Sequence, residues 1–273
     1  MRTLEVALAL ALTAAPAAAF DPNRFASEDD AGALLRYGYQ AWKDGDKAEA
    51  VDAFSFAAGR GDVAAQWKLA RMYQTGDGVA QDDGAAYENF RAIADKFGSR
   101  IAPPAQRAFV RYALSALGRY AMDGIQDSRP PSPRLAERYL YRAAALYGDT
   151  ASQYRLGVLY EDASYRFDRP RLAARWLNLA AASGHARAKF RLGRMFAEGR
   201  GVRENRVRGL AMMASAAAQL HARQVEIAGP AETFVDAYAT ATPAARAAFR
   251  DWLSESGVAL PPPVETALAS SNG

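Results

Sequence analysis

The chain has 273 residues, 50% of them hydrophobic and 23% charged, with a formal net charge of +4. That composition supports a packed core and excludes a largely disordered chain, and its mild basicity falls short of what a nucleic-acid-binding chain carries. Cysteine is absent and there are two histidines, His185 and His221, which excludes disulfides, thiolate metal sites, iron–sulfur clusters, cysteine nucleophiles and histidine-rich metal centres.

Residues 1–19 carry the pattern of a secretory signal peptide. Arg2 precedes an apolar stretch from Val6 to Ala15, and Ala17-Ala18-Ala19 is a small-residue cleavage site. Cleavage between Ala19 and Phe20 would leave a mature chain starting Phe20-Asp21-Pro22. The apolar stretch is too short to span a bilayer, and no longer run follows. The expectation is an exported, periplasmic protein with no stable membrane insertion after cleavage.

Residues 20–33 read as a lead-in, and from 34 to 221 the chain repeats itself. The unit ends Gly61-Asp62, Gly98-Ser99, Gly148-Asp149, Gly184-His185 and Leu220-His221 are spaced by 37, 50, 36 and 36 residues, a period of the solenoid kind. A second column aligns Leu69-Ala70, Leu117-Gly118, Leu156-Gly157 and Leu192-Gly193, followed three residues after the small one by Tyr73, Tyr160 or Phe196, and two after it by Tyr120, so that repeat is imperfect. The small residue lets two helices approach, and the aromatic fills the space beside it. Second helices run over Ala48–Ala58, Ala85–Ala94, Leu135–Ala145, Leu172–Ala182 and Gly209–Ala218, each with apolar residues at helical spacing. The turns Gly76-Asp77-Gly78-Val79 and Gly199-Arg200-Gly201-Val202 end one helix and start the next, with the valine plugging the turn. After Ala222 the period is lost. Residues 222–258 read as capping helices, at Pro230–Ala239 and Pro243–Ser256, and 259–273 as a disordered tail begun by Leu260-Pro261-Pro262-Pro263. The fold expected is all-α, a right-handed superhelical solenoid of helix-turn-helix units with C-terminal capping helices.

The motifs of catalysis are missing. There is no phosphate-cradling glycine loop, no H-E-x-x-H and no G-x-S-x-G elbow, so no catalytic residue, cofactor or metal is assigned. Glu137 and Glu161 are the mid-array carboxylates that a glycosidase reading would need. The feature that points to function is a basic column. Before the repeat leucine stand Lys68, Ala116, Arg155 and Arg191; two places after it stand Arg71, Arg119, Val158 and Arg194. These positions lie three apart and share a helix face. Stacking would set Lys68, Arg71, Arg119, Arg155, Arg191 and Arg194 in a ladder along the first helices, on the concave surface, with Trp67, Tyr154 and Phe190 just before it. Such a ladder suits an acidic partner surface; the alternative is that it pairs within the chain.

These repeats resemble Sel1-like repeats, relatives of the tetratricopeptide family, over about residues 34–221; the first unit, Tyr37–Gly61, is more tetratricopeptide-like through Trp42, Gly45-Asp46, Ala50 and Phe54. A more specific likeness lies in the order of Phe20-Asp21-Pro22, Tyr37-Gly38-Tyr39-Gln40-Ala41-Trp42-Lys43, Ala70-Arg71-Met72-Tyr73, Gly76-Asp77-Gly78-Val79 and Ala174-Arg175-Trp176-Leu177-Asn178 around an enlarged third unit. That set resembles the periplasmic negative regulators of exopolysaccharide production, the ExoR type, of plant-associated alpha-proteobacteria. The resemblance implies a non-enzymatic inhibitor that binds the periplasmic domain of a sensor histidine kinase and is relieved by a periplasmic protease. Exposed turns such as Gly76–Asp83 are then candidate cleavage sites. The competing expectation is a general periplasmic scaffold for envelope or polysaccharide machinery.

Overall fold

A computed structural model describes residues 20–25, 31–165, 167–223 and 230–270. The signal peptide expected at 1–19, with Ala19 of its cleavage site, lies outside the described residues. Regular structure among the described residues is helical, with a single isolated bridge between Ile125 and Arg129. The fold is all-α, built from helix-turn-helix repeats, and the chain divides into two compact units, Met1–Asn89 and Phe90–Gly273.

The first unit contains α1 (Ala31–Asp44), α2 (Lys47–Gly59) and α3 (Val63–Thr75), and the division falls inside α4 (Asp83–Phe97). Its core gathers Phe25, Leu34, Phe54, Leu69 and Met72. A Cβ at Gly38 of α1 would come within 2.8 Å of the Phe54 ring, so the sequence places its smallest residue where the α1–α2 hairpin closes. Phe20, the expected mature N-terminus, packs its ring 6.0 Å from those of Tyr37 and Phe56.

The second unit stacks three hairpins: α5 (Arg107–Asp123) with α6 (Pro133–Tyr147), α7 (Thr150–Glu161) with α8 (Pro170–Ala182), and α9 (Ala186–Glu198) with α10 (Arg206–Ala222). The glycine of the Leu-Gly column has the role its spacing suggests. An added Cβ at Gly118 would lie 2.3 Å from Leu140, and one at Gly157 would lie 2.5 Å from Leu177. Side chains at the helix starts accept the otherwise unbonded N–H groups of the first turn: Asp149 from Ser152 at 2.7 Å, His185 from Ala188 at 3.2 Å and Asn205 from Arg208 at 3.0 Å.

Each turn closes on the aromatic column. The Tyr160 carbonyl accepts from the N–H of Arg169 at 2.9 Å, and the Phe196 carbonyl accepts from Asn205 at 2.8 Å. In the enlarged unit the equivalent carbonyl belongs to Ala121, which accepts from Ser132 at 2.7 Å. Tyr120, the residue aligned there by sequence, is buried one position earlier.

Helices α11 (Pro230–Ala239) and α12 (Pro243–Ser256) occupy the ranges expected for the cap and bury Phe234, Tyr238 and Phe249. The expectation of a disordered tail is corrected. Residues 262–270 form a further helix, α13 (Pro262–Ser270), with Leu260 and Val264 buried in the same cluster. Proline lacks the N–H that a helix start leaves unbonded anyway, so Pro262 begins this helix instead of terminating the structure.

Candidate partner-binding site

The basic column is divided between the two units and between different local roles. In the first unit, Lys68 on α3 is 9% exposed. Its Nζ sits 3.5 Å from the centre of the Trp42 ring and 3.9 Å from Asp77. Lys47 covers the same ring at 4.0 Å and bonds Asp77 at 3.2 Å, while the Trp42 indole N–H donates to Asp77 at 2.6 Å. Burial pulls the Lys68 pKa down, with Asp77 opposing. The indole hydrogen bond, aided by the two lysines, holds the Asp77 carboxyl below the usual carboxylate range.

This cluster straps the Gly76-Asp77-Gly78-Val79 turn to α1 and α2. Gly78 has φ +84°, and a Cβ there would be 2.5 Å from that of Lys47. Val79 packs against the core of the unit, as a plug would. Arg71 is half-buried and donates to Gln74 at 3.2 Å. Trp67 is half-buried on the same helix.

In the second unit, Arg191 and Arg194 on α9 both reach Glu161 at the end of α7. Arg191 donates to one carboxylate oxygen at 2.8 Å and Arg194 to the other. Arg200, from the next turn, donates to the Glu161 carbonyl at 2.6 Å. Glu161 is 3% exposed. Burial alone would lower the Arg191 pKa, but the hydrogen bonds and charges of Glu161 and Tyr154 together outweigh it and the net shift is upward. Both Glu161 oxygens are thus occupied by guanidinium groups, an arrangement for anchoring helices and not for donating a proton to a substrate. Glu137 is likewise engaged, accepting from the Tyr160 hydroxyl at 2.6 Å with Arg169 3.7 Å away.

Arg119 on α5 and Arg155 on α7 differ from the rest of the column. The hydroxyls of Ser115 and Ser152 meet at 3.1 Å and fix the register of the two helices; Arg119 and Arg155 follow each of them by about one turn. Arg119 lies over the Tyr120 ring at 4.2 Å. Arg155 is half-buried, and its guanidinium makes no hydrogen bond or ion pair among the described residues. Burial lowers its pKa and the neighbouring Arg119 charge lowers it further, with Asp149 and Asp123 opposing without bonding it.

The aromatics divide too. Tyr154 stacks on His185 with ring centres 4.4 Å apart, and Phe190 is buried against α10 and the cap. Sequence reasoning missed the carboxylate that collects Arg191 and Arg194. Its one signal was an acidic residue at the register of Ala197, a buried position in the next unit. Among the described residues no group of His, Cys, Asp or Glu is placed to hold a metal, and no helix is long and apolar enough to cross a membrane.

Residues 63–96, 111–147, 150–185 and 186–219 match the Sel1 repeat, which corresponds to α3–α4, α5–α6, α7–α8 and α9–α10. The chain is 36% identical over 220 residues to an exopolysaccharide production negative regulator of Rhizobium meliloti (strain 1021), spanning 79% of this chain and 80% of that protein. It is 34% identical over 217 residues to one of Rhizobium leguminosarum bv. viciae, spanning 78% of each. The chain belongs to this family of Sel1-repeat proteins. The fold also matches the crystal structure of a Sel1 repeat protein from Oxalobacter formigenes, with a TM-score of 0.54 and 23% identity over 86% of this chain and 92% of that one. The α1–α2 hairpin and the cap α11–α13 lie outside the matched repeats.

Proposed function

We propose that this Sel1-repeat chain is an exported, non-enzymatic negative regulator of exopolysaccharide production. It acts by docking on the periplasmic domain of a sensor histidine kinase and is removed by a periplasmic protease. The relatives' names support negative regulation. The observation that carries the docking is the Arg119–Arg155 pair. A half-buried guanidinium without a bonded carboxylate, beside a second guanidinium, carries a desolvation cost that the Asp149 and Asp123 charges offset only in part. A partner carboxylate placed between the two would relieve it. The other four cations of the column already have intramolecular hydrogen bonds or ion pairs, so the docking charge of the first helices is concentrated on α5 and α7. Stacked repeats without catalytic constellations are suited to binding protein surfaces.

The test is binding of residues 20–273 to the purified periplasmic domain of the host's sensor kinase, at about 0.05 M and about 0.5 M salt. Saturable binding that weakens with salt is expected. Arg119→Glu with Arg155→Glu should raise Kd about tenfold to a hundredfold. Unchanged affinity in that variant would remove the pair from the interface. No binding at either salt would leave a general periplasmic scaffold as the better reading.

A further inference from the structure

A second surface lies on the second helices of the same unit. Leu140 on α6 and Leu177 on α8 occupy equivalent places, each seated on the glycine of its repeat. The equivalence extends outward along both helices. Pro133-Arg134-Leu135-Ala136 and Pro170-Arg171-Leu172-Ala173 are the same motif, and Arg138 and Arg175 follow at the same offset. Arg134, Arg138, Arg171 and Arg175 are all exposed. None makes a side-chain hydrogen bond or ion pair among the described residues. Helix α8 contains no acidic residue, and the single one on α6, Glu137, is engaged by Tyr160 and Arg169.

The arginines flank an apolar anchor. Tyr141 is 52% exposed and Leu179 is 46% exposed. Tyr141 meets Trp176 edge to face at 5.9 Å, bridging the two helices.

We infer that this face of α6 and α8 is a docking surface for an acidic protein segment, one that carries carboxylates on either side of an apolar side chain. Exposed Arg around a compact Tyr–Trp–Leu centre has the anatomy of a protein interface: an aromatic anchor within a charged rim. Each arginine row has the i, i+4 spacing of about 5–6 Å, and the Tyr141–Trp176 contact joins the two helices between the rows. Carboxylates one helical turn apart on a partner can each meet a guanidinium in bidentate geometry. A membrane-binding face would instead need a broad apolar stripe to sink between lipids. Here Leu140 and Leu177 are fully buried in the core, leaving only the small anchor outside. The surface is separate from the Arg119–Arg155 pair, which sits on the first helices.

The experiment replaces Tyr141 with the photocrosslinking residue p-benzoylphenylalanine in the full chain, expressed in its host, and identifies the crosslinked segment by mass spectrometry. The expected result is one protein adduct whose crosslinked segment carries at least two Asp or Glu residues beside an apolar one. Adding Arg138→Glu and Arg175→Glu should reduce the adduct about tenfold or more, with the far-UV circular dichroism and cellular level of the chain unchanged. A lipid adduct, an adduct to a second copy of this chain, a neutral or basic crosslinked segment, an adduct indifferent to the charge reversals, or no adduct from a folded and abundant chain would each overturn the inference.

Discussion

Glu161 is a buried carboxylate that joins two repeats of the second unit. It is 3% exposed, whereas the side chains of its partners Arg191 and Arg194 are 34% and 31% exposed. Glu161→Ala deletes two charge-assisted hydrogen bonds, worth roughly 1.5–3 kcal/mol each, and leaves two guanidinium groups facing each other. Breaking a fully buried pair costs about 3–5 kcal/mol. Both arginines keep a third of their surface in water, so they can turn outward and recover part of that. A carboxylate at a helix C-terminus also opposes the helix dipole, so its removal returns a few tenths of a kcal/mol. The net loss expected is about 2–3 kcal/mol.

Glu161→Gln, which keeps the shape and one acceptor, should cost about half as much. Replacing all three residues with apolar ones of similar volume should recover most of the loss, because the desolvation cost leaves with the charges. The assay is urea unfolding followed by far-UV circular dichroism, paired with hydrogen exchange to localise the effect, since repeat arrays do not always unfold in one step. Protection should fall in α7 and α9 before α5. A Glu161→Ala variant within about 0.5 kcal/mol of wild type, with exchange unchanged in both helices, would refute the view that this carboxylate ties the third and fourth matched repeats together.

Three further perturbations test other links. His185 caps α9 where Asp62 and Asp149 cap α3 and α7, so His185→Asp should stabilise the chain by about 0.5–1 kcal/mol in a denaturant titration. Burial, then Arg187 and Arg155, hold the His185 pKa below its ordinary value of 6.5. The neutral-cap contribution is therefore present above that value and declines as pH falls through it toward the lower folded-state pKa. The wild type should lose stability across that window, and His185→Asp should lack that portion of the loss. Gly157→Ala would place a methyl 2.5 Å from Leu177 and should cost about 1–3 kcal/mol, and combined with Leu177→Ala the loss should be smaller than the sum of the two single losses. Asp77→Ala should free the 76–79 turn from Trp42, Lys47 and Lys68. Loss of about 1 kcal/mol of local restraint would speed limited proteolysis between residues 76 and 83 about fivefold, and an unchanged digestion rate would show that the cluster does not restrain the turn.

The helices and their pairing could be read directly from the sequence, because the Leu-Gly column reports a short-range requirement: a residue without a side chain where Leu140 or Leu177 presses in. The cap was legible as far as α12 for a similar reason, since Pro230 and Pro243 stand at helix starts. Helix α13 was misread because a proline run looks like a stop when its apolar partners Leu260 and Val264 are not yet known to meet a core. The aromatic of the enlarged unit stands one place short of the column in the sequence, and the structure keeps both features: Ala121 holds the closing hydrogen bond at the common register while Tyr120 is buried beside it.

The basic column shows where periodicity stops carrying information. Spacing places side chains on one face of one helix, but whether a charge is paired depends on the next layer of the stack. Glu161 lies 30 and 33 residues before Arg191 and Arg194, a separation that only the docking of α9 on α7 brings within a hydrogen bond. The same stacking leaves Arg155 with Arg119 for a neighbour and no bonded carboxylate. Residues identical in type and register therefore serve opposite ends. A guanidinium satisfied by a buried carboxylate adds stability and presents little to a partner, whereas one that folding leaves unsatisfied adds little stability and gains most from a partner's acid. Charge reversal at Arg155 should accordingly spare folding and impair docking, and charge reversal at Arg191, where a second carboxylate would face Glu161, should do the reverse. Measuring unfolding and partner binding on those two single variants separates the two roles, and equal effects of both variants on both measurements would contradict it.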